Sequence, residues 1–489
     1  MVFSSLIFLY AFFSVSLLAY WLCPGQKAKN VCLLIFSLIF YAWGEPKYVL
    51  LLMFMALVSW ICALGVSRNK KKSVRKGWVI AAVVIDISLI GFFKYSGLVC
   101  SIFGEVPEFI KNIALPIGIS FYTFQLLTYV VDVYREEAPA QRSYWNVLLY
   151  AALFHQCIAG PIVRYQTVAA ELFGKKPRKP QLAQGVSRFC GGLAKKCLLA
   201  NPCGELADTL ILADAVLSDP AQFAANLQTL SQQSVLGLWV GIIAYALHIY
   251  LDFSAYSDMA IGMGKMVGLN YLENFNYPYI SRTVTEFWRR WHMSLSNFFR
   301  DYVYIPLGGN RVGLLRGILN AFVVWALTGL WHGASWNFVI WGLWFFAFLM
   351  LERFALKKWL EKVPFLSNLY LIVVVMIGWV IFRFTDIRLG MVLVKSLFGL
   401  NGNALTGFTS EIQLKSHSIL LAVSIVASTP IMKVLRQKVE AWAQSHGPVS
   451  PVCTAWNVVF YSILPVILLL LSTAGLVGDS YNPFIYFQF

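Results

Sequence analysis

Residues 316–351 read RGILNAFVVWALTGLWHGASWNFVIWGLWFFAFLML, and the fold turns on this stretch. Two apolar runs, 316–331 and 335–351, lie on either side of His332-Gly333-Ala334. About 20 apolar residues cross a bilayer as a helix, because lipid offers nothing to backbone N–H and C=O groups and a helix satisfies its own. Each run is close to that length. The stretch therefore predicts two spans joined by a tight turn, with an imidazole where the first one ends.

Working outward, similar runs occur near 3–23, 30–44, 48–66, 78–98, 114–134, 235–256, 367–384, 418–435 and 456–477. The expected fold is an all-α integral membrane protein, a polytopic bundle of about ten to twelve transmembrane helices forming one domain over 1–489. Composition agrees: of 489 residues 59% are apolar and only 13% charged, which excludes a soluble enzyme. Aromatic residues make up 16%, in keeping with belts at two bilayer interfaces. The +16 balance of 39 Lys and Arg over 23 Asp and Glu suits cytoplasmic loops, since no polar segment is large enough for a nucleic-acid patch. The chain begins Met1-Val2-Phe3-Ser4 and stays apolar to Cys23, unlike a cleaved signal peptide. Nine scattered cysteines without a C-x-x-C pair point to neither a disulfide framework nor a zinc site.

Charge sets the orientation. Arg68, Lys70, Lys71, Lys72, Arg75 and Lys76 place one loop in the cytoplasm, and Lys175, Lys176, Arg178 and Lys179 place a second there. Counting back through three spans puts the N-terminus outside. Three apolar runs separate the two basic loops, and an odd number of crossings cannot return the chain to one side, so one run does not span. The weakest is 145–163, broken by His155, Gln156 and Gly160-Pro161, and a re-entrant segment is expected there. Residues 204–233, with Glu205, Asp208, Asp214 and Asp219, are expected outside. Between Ser281 and Arg311 lie Arg282, Arg289, Arg290, Arg300 and Arg311. At roughly 3 kcal/mol per mid-bilayer arginine, lipid exposure of all five would cost on the order of 15 kcal/mol. Phe287, Trp288, Trp291, Leu295 and Phe298 recur at helical spacing, so an amphipathic interfacial helix with a basic face is predicted.

No nucleophile elbow, Walker loop, H-E-x-x-H or dinucleotide fingerprint occurs, and no internal repeat of transporter type. Chemistry falls to the six histidines. His417 and His446 sit in polar loops. His155 lies in the broken run and His248 four residues before Asp252; for each, a structural hydrogen bond and a chemical role stay open. His332 differs, because ionisable groups at membrane depth are rare and Gly329 and Gly333 beside it permit close approach by another chain or a ligand. A desolvated neutral imidazole suits a general base that takes a proton from a hydroxyl attacking a thioester. His292, forty residues earlier, either bonds the reacting groups or orients His332. Asp252 and Asp258, six apart and so on different helix faces, either line a polar cavity or anchor helices. Arg289, Arg290 and Arg300 suit interfacial anchors under the positive-inside rule, and a part in binding an anionic ligand stays open.

Further motifs span nearly the whole chain. They are Phe3-Ser4-Ser5, Tyr41-Ala42-Trp43-Gly44, Leu115-Pro116-Ile117-Gly118-Ile119-Ser120-Phe121-Tyr122-Thr123-Phe124-Gln125, and His155-Gln156 with Ala159-Gly160-Pro161-Ile162. Then come Asp252-Phe253-Ser254, Tyr256-Ser257-Asp258-Met259-Ala260, Phe287-Trp288-Arg289-Arg290-Trp291-His292, Leu307-Gly308-Gly309-Asn310-Arg311, Leu330-Trp331-His332-Gly333 and Asn482-Pro483-Phe484-Ile485-Tyr486-Phe487. On these the chain resembles the membrane-bound O-acyltransferases, within them the bacterial branch typified by alginate O-acetyltransferase.

The resemblance implies a catalytic core at about 114–384, with His332 as the catalytic histidine and His292 as the second polar position. Trp288, Trp291, Trp331, Ser335, Gln125 and His155, together with the arginines and aspartates above, become candidates for binding the donor or lining a tunnel. No metal and no permanently bound cofactor is implied. The donor would be acetyl-CoA or an acylated carrier protein on the cytoplasmic side, and the acceptor an extracytoplasmic glycan hydroxyl of an alginate- or cellulose-like exopolysaccharide or peptidoglycan. The implied partners are an extracytoplasmic SGNH or esterase-like acetyltransferase and polysaccharide synthase machinery, in a bacterial cytoplasmic membrane and its lipid, with no nucleic acid. D-alanyl transfer to teichoic acid is the alternative within the family, and a non-catalytic conduit for glycan precursors the alternative outside it.

Overall fold

The computed structural model describes residues 2–158, 160–174, 178–214, 219–447, 450–478 and 481–483. Ala159, Lys175, Lys176 and the closing motif from Phe484 onward lie outside the described residues. All regular structure among them is helical.

Among the described residues eight helices are long and apolar enough to cross a membrane: Gly25–Gly44, Val49–Arg68, Lys72–Phe103, Val235–Met266, Leu314–His332, Trp336–Lys362, Pro364–Arg383 and Pro451–Gly478. A ninth is made by Ser418–Ala427 and Ile431–Ser445 if that pair, bent by 62°, counts as one span. The bend falls at Ser428-Thr429-Pro430, where proline lacks the N–H a continuing helix needs and disfavours helical geometry in the residue before it. Two of the expected spans come out shorter, Ile7–Leu22 and the 16-residue helix Ile119–Tyr134. The chain is thus a polytopic, helical membrane protein, and among the described residues fewer helices reach full spanning length than the apolar runs predict.

The chain divides into two compact units: residues 1–193, 256–273 and 464–468, and residues 194–255, 274–463 and 469–489. In the first, Val49–Arg68 packs on Lys72–Ile90 and on Ile119–Tyr134, whose residues are almost all buried. The run 145–163 is interrupted where its sequence predicts. A helix, Tyr144–Ala152, stops, and residues 153–158 continue as buried non-helical backbone. Gly118 explains how that backbone is accommodated. It is left-handed (φ 74°), and a Cβ there would stand 2.4 Å from the Cys157 carbonyl oxygen.

The second unit is built on the helical hairpin Leu314–His332 and Trp336–Leu351. Lipid tails are as apolar as leucine, so helices in a membrane associate through close packing at small residues rather than by escaping water. Gly329 and Gly342 do this here: a Cβ on Gly329 would lie 2.3 Å from the Phe338 carbonyl oxygen, and one on Gly342 2.4 Å from that of Trp325. Gly333 likewise faces the Phe338 ring, which a Cβ on Gly333 would approach to 2.4 Å. Another chain segment therefore fills the space beside His332 that its glycines leave. Pro364–Arg383 packs on the hairpin, and between them Trp288, Trp291, Trp325, Trp341, Phe345 and Trp379 form an aromatic core.

Onto this core docks the basic segment, and it is not the continuous amphipathic helix that its periodicity predicts. Val284–Arg290 and Met293–Phe299 are separate helices, followed by a π-helical turn at Arg300–Tyr304. The first is tied down at its N-terminus by Glu352, whose carboxylate accepts from Val284 N at 2.5 Å and from Thr285 N at 3.0 Å. Those are N–H groups that a helix start leaves without internal partners, at its positive end.

Candidate active site

His332 is the last residue of Leu314–His332, and Gly333 beyond it is fully extended. Its imidazole is 6% exposed and packed among aromatic rings: Trp331 and Trp341 at 4.7 Å between centroids, Phe382 at 5.0 Å and Phe338 at 6.2 Å. The turn of the hairpin thus buries a histidine among aromatic rings.

His292 occupies the break between the two basic-segment helices. Its backbone is left-handed (φ 42°, ψ 55°), a conformation uncommon for side-chain-bearing residues though histidine is among those that tolerate it. The ring is buried, edge-on to Phe253 at 4.7 Å and to Trp331 at 5.8 Å. Trp331 therefore touches both imidazoles. Burial pushes the His292 pKa down to about 3, so this ring is neutral. The conformation is held from across the break by Asn274, which sequence reading missed. Its carbonyl oxygen accepts from Met293 N at 2.9 Å, and its Oδ1 accepts from Ser294 N at 3.2 Å and Ser294 Oγ at 2.9 Å. Nothing local marks Asn274, since it lies eighteen residues before His292.

The remaining candidates separate into several roles. Trp288 and Trp291 are buried in the aromatic core beneath this site. Arg290 is paired with Glu286 at 2.9 Å and Arg300 with Asp301 at 2.7 Å, whereas Arg289 is exposed. Ser335 is half-buried at the start of Trp336–Leu351. Asp252 forms an ion pair with Lys196 at 2.7 Å, both side chains almost fully buried, and Asp258 one with Arg188 at 2.6 Å. Each aspartate therefore anchors a helix, and their partners were not singled out in the sequence.

Gln125, His155 and Asp258 belong to the first unit, and His292, His332 and Asp252 to the second. His155 is fully buried with Nδ1 3.2 Å from the Tyr271 hydroxyl. Gln125 is also fully buried, and its side-chain amide has no partner among the described residues. His248 Nδ1 bonds the Ala200 carbonyl at 2.7 Å, a structural role. His417 and His446 bond carbonyls in their own helices, at 3.0 and 2.9 Å.

Comparison with known proteins bears on this arrangement. Residues 9–394 match the model of the membrane-bound O-acyltransferase family. Over 100% of both chains the protein is 34% identical to a probable alginate O-acetylase of Azotobacter vinelandii. It is 30% identical to a peptidoglycan O-acetyltransferase of Helicobacter pylori, over 89% of this chain and 87% of that one. With a teichoic acid D-alanyltransferase of Bacillus subtilis it shares 28% identity over 53% of this chain and 63% of the other.

Proposed function

The chain belongs to the membrane-bound O-acyltransferase family, and from that premise we propose that it O-acetylates a polysaccharide, moving acetyl groups from a cytoplasmic thioester to hydroxyls outside the membrane. The observation that carries the reading is His332, buried at the end of its helix among aromatic rings, with Trp331 in contact with both it and His292. As the acceptor hydroxyl attacks the thioester carbonyl, a C–O bond forms and its proton passes to the His332 imidazole. When the tetrahedral intermediate collapses the C–S bond breaks, and the imidazolium returns the proton to the departing thiolate. His292 holds the reacting groups in register. Aromatic packing keeps water, a competing nucleophile, from the acyl group.

Acetyl is favoured over D-alanyl because the alginate and peptidoglycan acetylating relatives align over most or all of both chains, whereas the D-alanyl relative aligns over about half of this one. The donor is acetyl-CoA or an acetylated carrier protein, and the exposure of Arg289 supports a part for it in meeting the donor's charge. Transfer to the glycan is direct or passes through an extracytoplasmic esterase-like partner beside a polysaccharide synthase. The basic run 68–76 supports a cytoplasmic loop there and an external N-terminus.

The test is donor use by the purified full-length chain in proteoliposomes, supplied in turn with labelled acetyl-CoA, acetylated carrier protein and D-alanylated carrier protein. Acetyl turnover from either of the first two is expected. Turnover with the D-alanyl donor alone would replace the reading.

A further inference from the structure

An imidazole that is neutral carries one proton, and which nitrogen holds it decides whether the ring can donate or accept toward a substrate. For His292 the surrounding hydrogen bonds settle the question. Ser294 N is a backbone amide and can only donate, so the atom of the Asn274 side chain 3.2 Å from it is the oxygen and not the nitrogen. The same Oδ1 lies 3.2 Å from His292 Nδ1. An oxygen of this kind only accepts, so Nδ1 must carry the hydrogen.

The Ser294 hydroxyl agrees with this. Its hydrogen is given to Asn274 Oδ1 at 2.9 Å, which leaves its lone pairs facing His292 Nδ1 at 3.4 Å. Both neighbours of Nδ1 are therefore acceptors. The Asn274 amide nitrogen, by contrast, is buried with no partner among the described residues, so the residue is kept for its oxygen. With the bond from Met293 N to its carbonyl, Asn274 serves the first turn of Met293–Phe299 and the ring of His292 together.

We propose that Asn274 is a positioning residue that locks His292 as the Nδ1–H tautomer, so that the nitrogen His292 offers the reaction, Nε2, is an acceptor. This rests, for its functional consequence, on the reading of His292 as part of the acetyl-transfer site. The consequence is specific. His292 can accept a hydrogen bond from a neighbouring hydroxyl of the acceptor, leaving the proton of the attacking hydroxyl to His332, but it cannot donate to the oxyanion that forms on the thioester carbonyl; that charge must be met by another group.

The test uses full-length chain labelled with 15N-histidine in lipid bilayers and read by solid-state NMR. The His292 signals are identified by their loss in His292→Gln. The expected result is a protonated Nδ1 and an unprotonated Nε2 in the wild type, kept in Asn274→Asp and lost as a fixed preference in Asn274→Leu. Acetyl turnover is expected to fall tenfold or more in Asn274→Leu and to recover in Asn274→Asp, with the acid limb of its pH profile moved upward because a carboxylate favours the imidazolium. A wild-type ring protonated on Nε2, or a tautomer indifferent to Asn274→Leu, overturns the lock. The predicted tautomer with full turnover in both His292→Gln and Asn274→Leu instead overturns the place of His292 in the reaction, so the two failures are distinguishable.

Discussion

The indole of Trp331 stands edge-on to the imidazole of His292, with 5.8 Å between centroids and 68° between planes, while its neighbour in sequence is His332. One ring thus spaces the two histidines. Misplacement of reacting groups by about 1 Å can cost 10²-fold in rate. Trp331→Ala is expected to lower turnover by about that factor, and Trp331→Phe, which keeps an aromatic edge, by about tenfold or less. Rates compared at equal amounts of folded protein check this; equal rates in wild type and Trp331→Ala would remove Trp331 from the site.

Lys196 and Asp252 are 2% and 0% exposed and 2.7 Å apart. Breaking a buried pair strands a charge and costs about 3–5 kcal/mol, whereas replacing both members with apolar residues is often neutral. Lys196→Met and Asp252→Leu are each expected to destabilise by that amount, and the double variant to recover most of it. Full recovery is not expected, because Lys196 also donates to the Pro483 carbonyl. Thermal unfolding in detergent of the four proteins decides, and additive losses would contradict the pairing.

Two glycines of one helix make an internally controlled experiment. A methyl on Gly329 would meet the Phe338 carbonyl at 2.3 Å, while one on Gly317 would meet nothing within 4 Å. Overpacking of this sort costs about 1–3 kcal/mol. Gly329→Ala is therefore expected to lose that much stability and Gly317→Ala to be neutral or stabilising. Equal behaviour of the two in thermal unfolding would contradict the hairpin geometry.

His292 also predicts a response to acid. In the unfolded chain an imidazole binds its proton at about 6.5, and in the fold burial holds His292 down at about 3. Between those values the unfolded state binds more protons, so stability falls as pH drops below about 6.5 and the loss levels off near about 3. At pH 5 the contribution is on the order of 2 kcal/mol. Wild type and His292→Asn, unfolded at pH 7 and pH 5, should differ in how much stability each loses, with the variant losing less. Parallel losses would count against a buried neutral ring.

Much of this was legible in the sequence. The hairpin and the position of His332 follow from two apolar runs and an interruption, because lipid leaves the backbone so few options. The break at residues 153–158 was equally readable from His155, Gln156 and Gly160-Pro161. What sequence could not reveal depends on distant partners. The spacing of Phe287, Trp288, Trp291, Leu295 and Phe298 suits one helix, and the chain breaks there because Asn274 supplies bonds that a continuous helix would have supplied itself. Asp252 and Asp258 were ambiguous for the same reason, since their basic partners lie 56 and 70 residues away. The glycines around His332 signalled close approach correctly, but Phe338 is what approaches.

The proposed acetyl transfer stands on His332 as its base. The most direct measurement is the rate at which the reconstituted chain, supplied with labelled acetyl-CoA or acetylated carrier protein, a glycan acceptor and the extracytoplasmic partner proposed above, moves label to glycan, compared between wild type and a normally inserted His332→Ala. General-base catalysis contributes about 10²–10⁴-fold, so a loss of at least about a hundredfold is predicted. A His332→Ala variant that transfers acetyl at the wild-type rate would contradict the account.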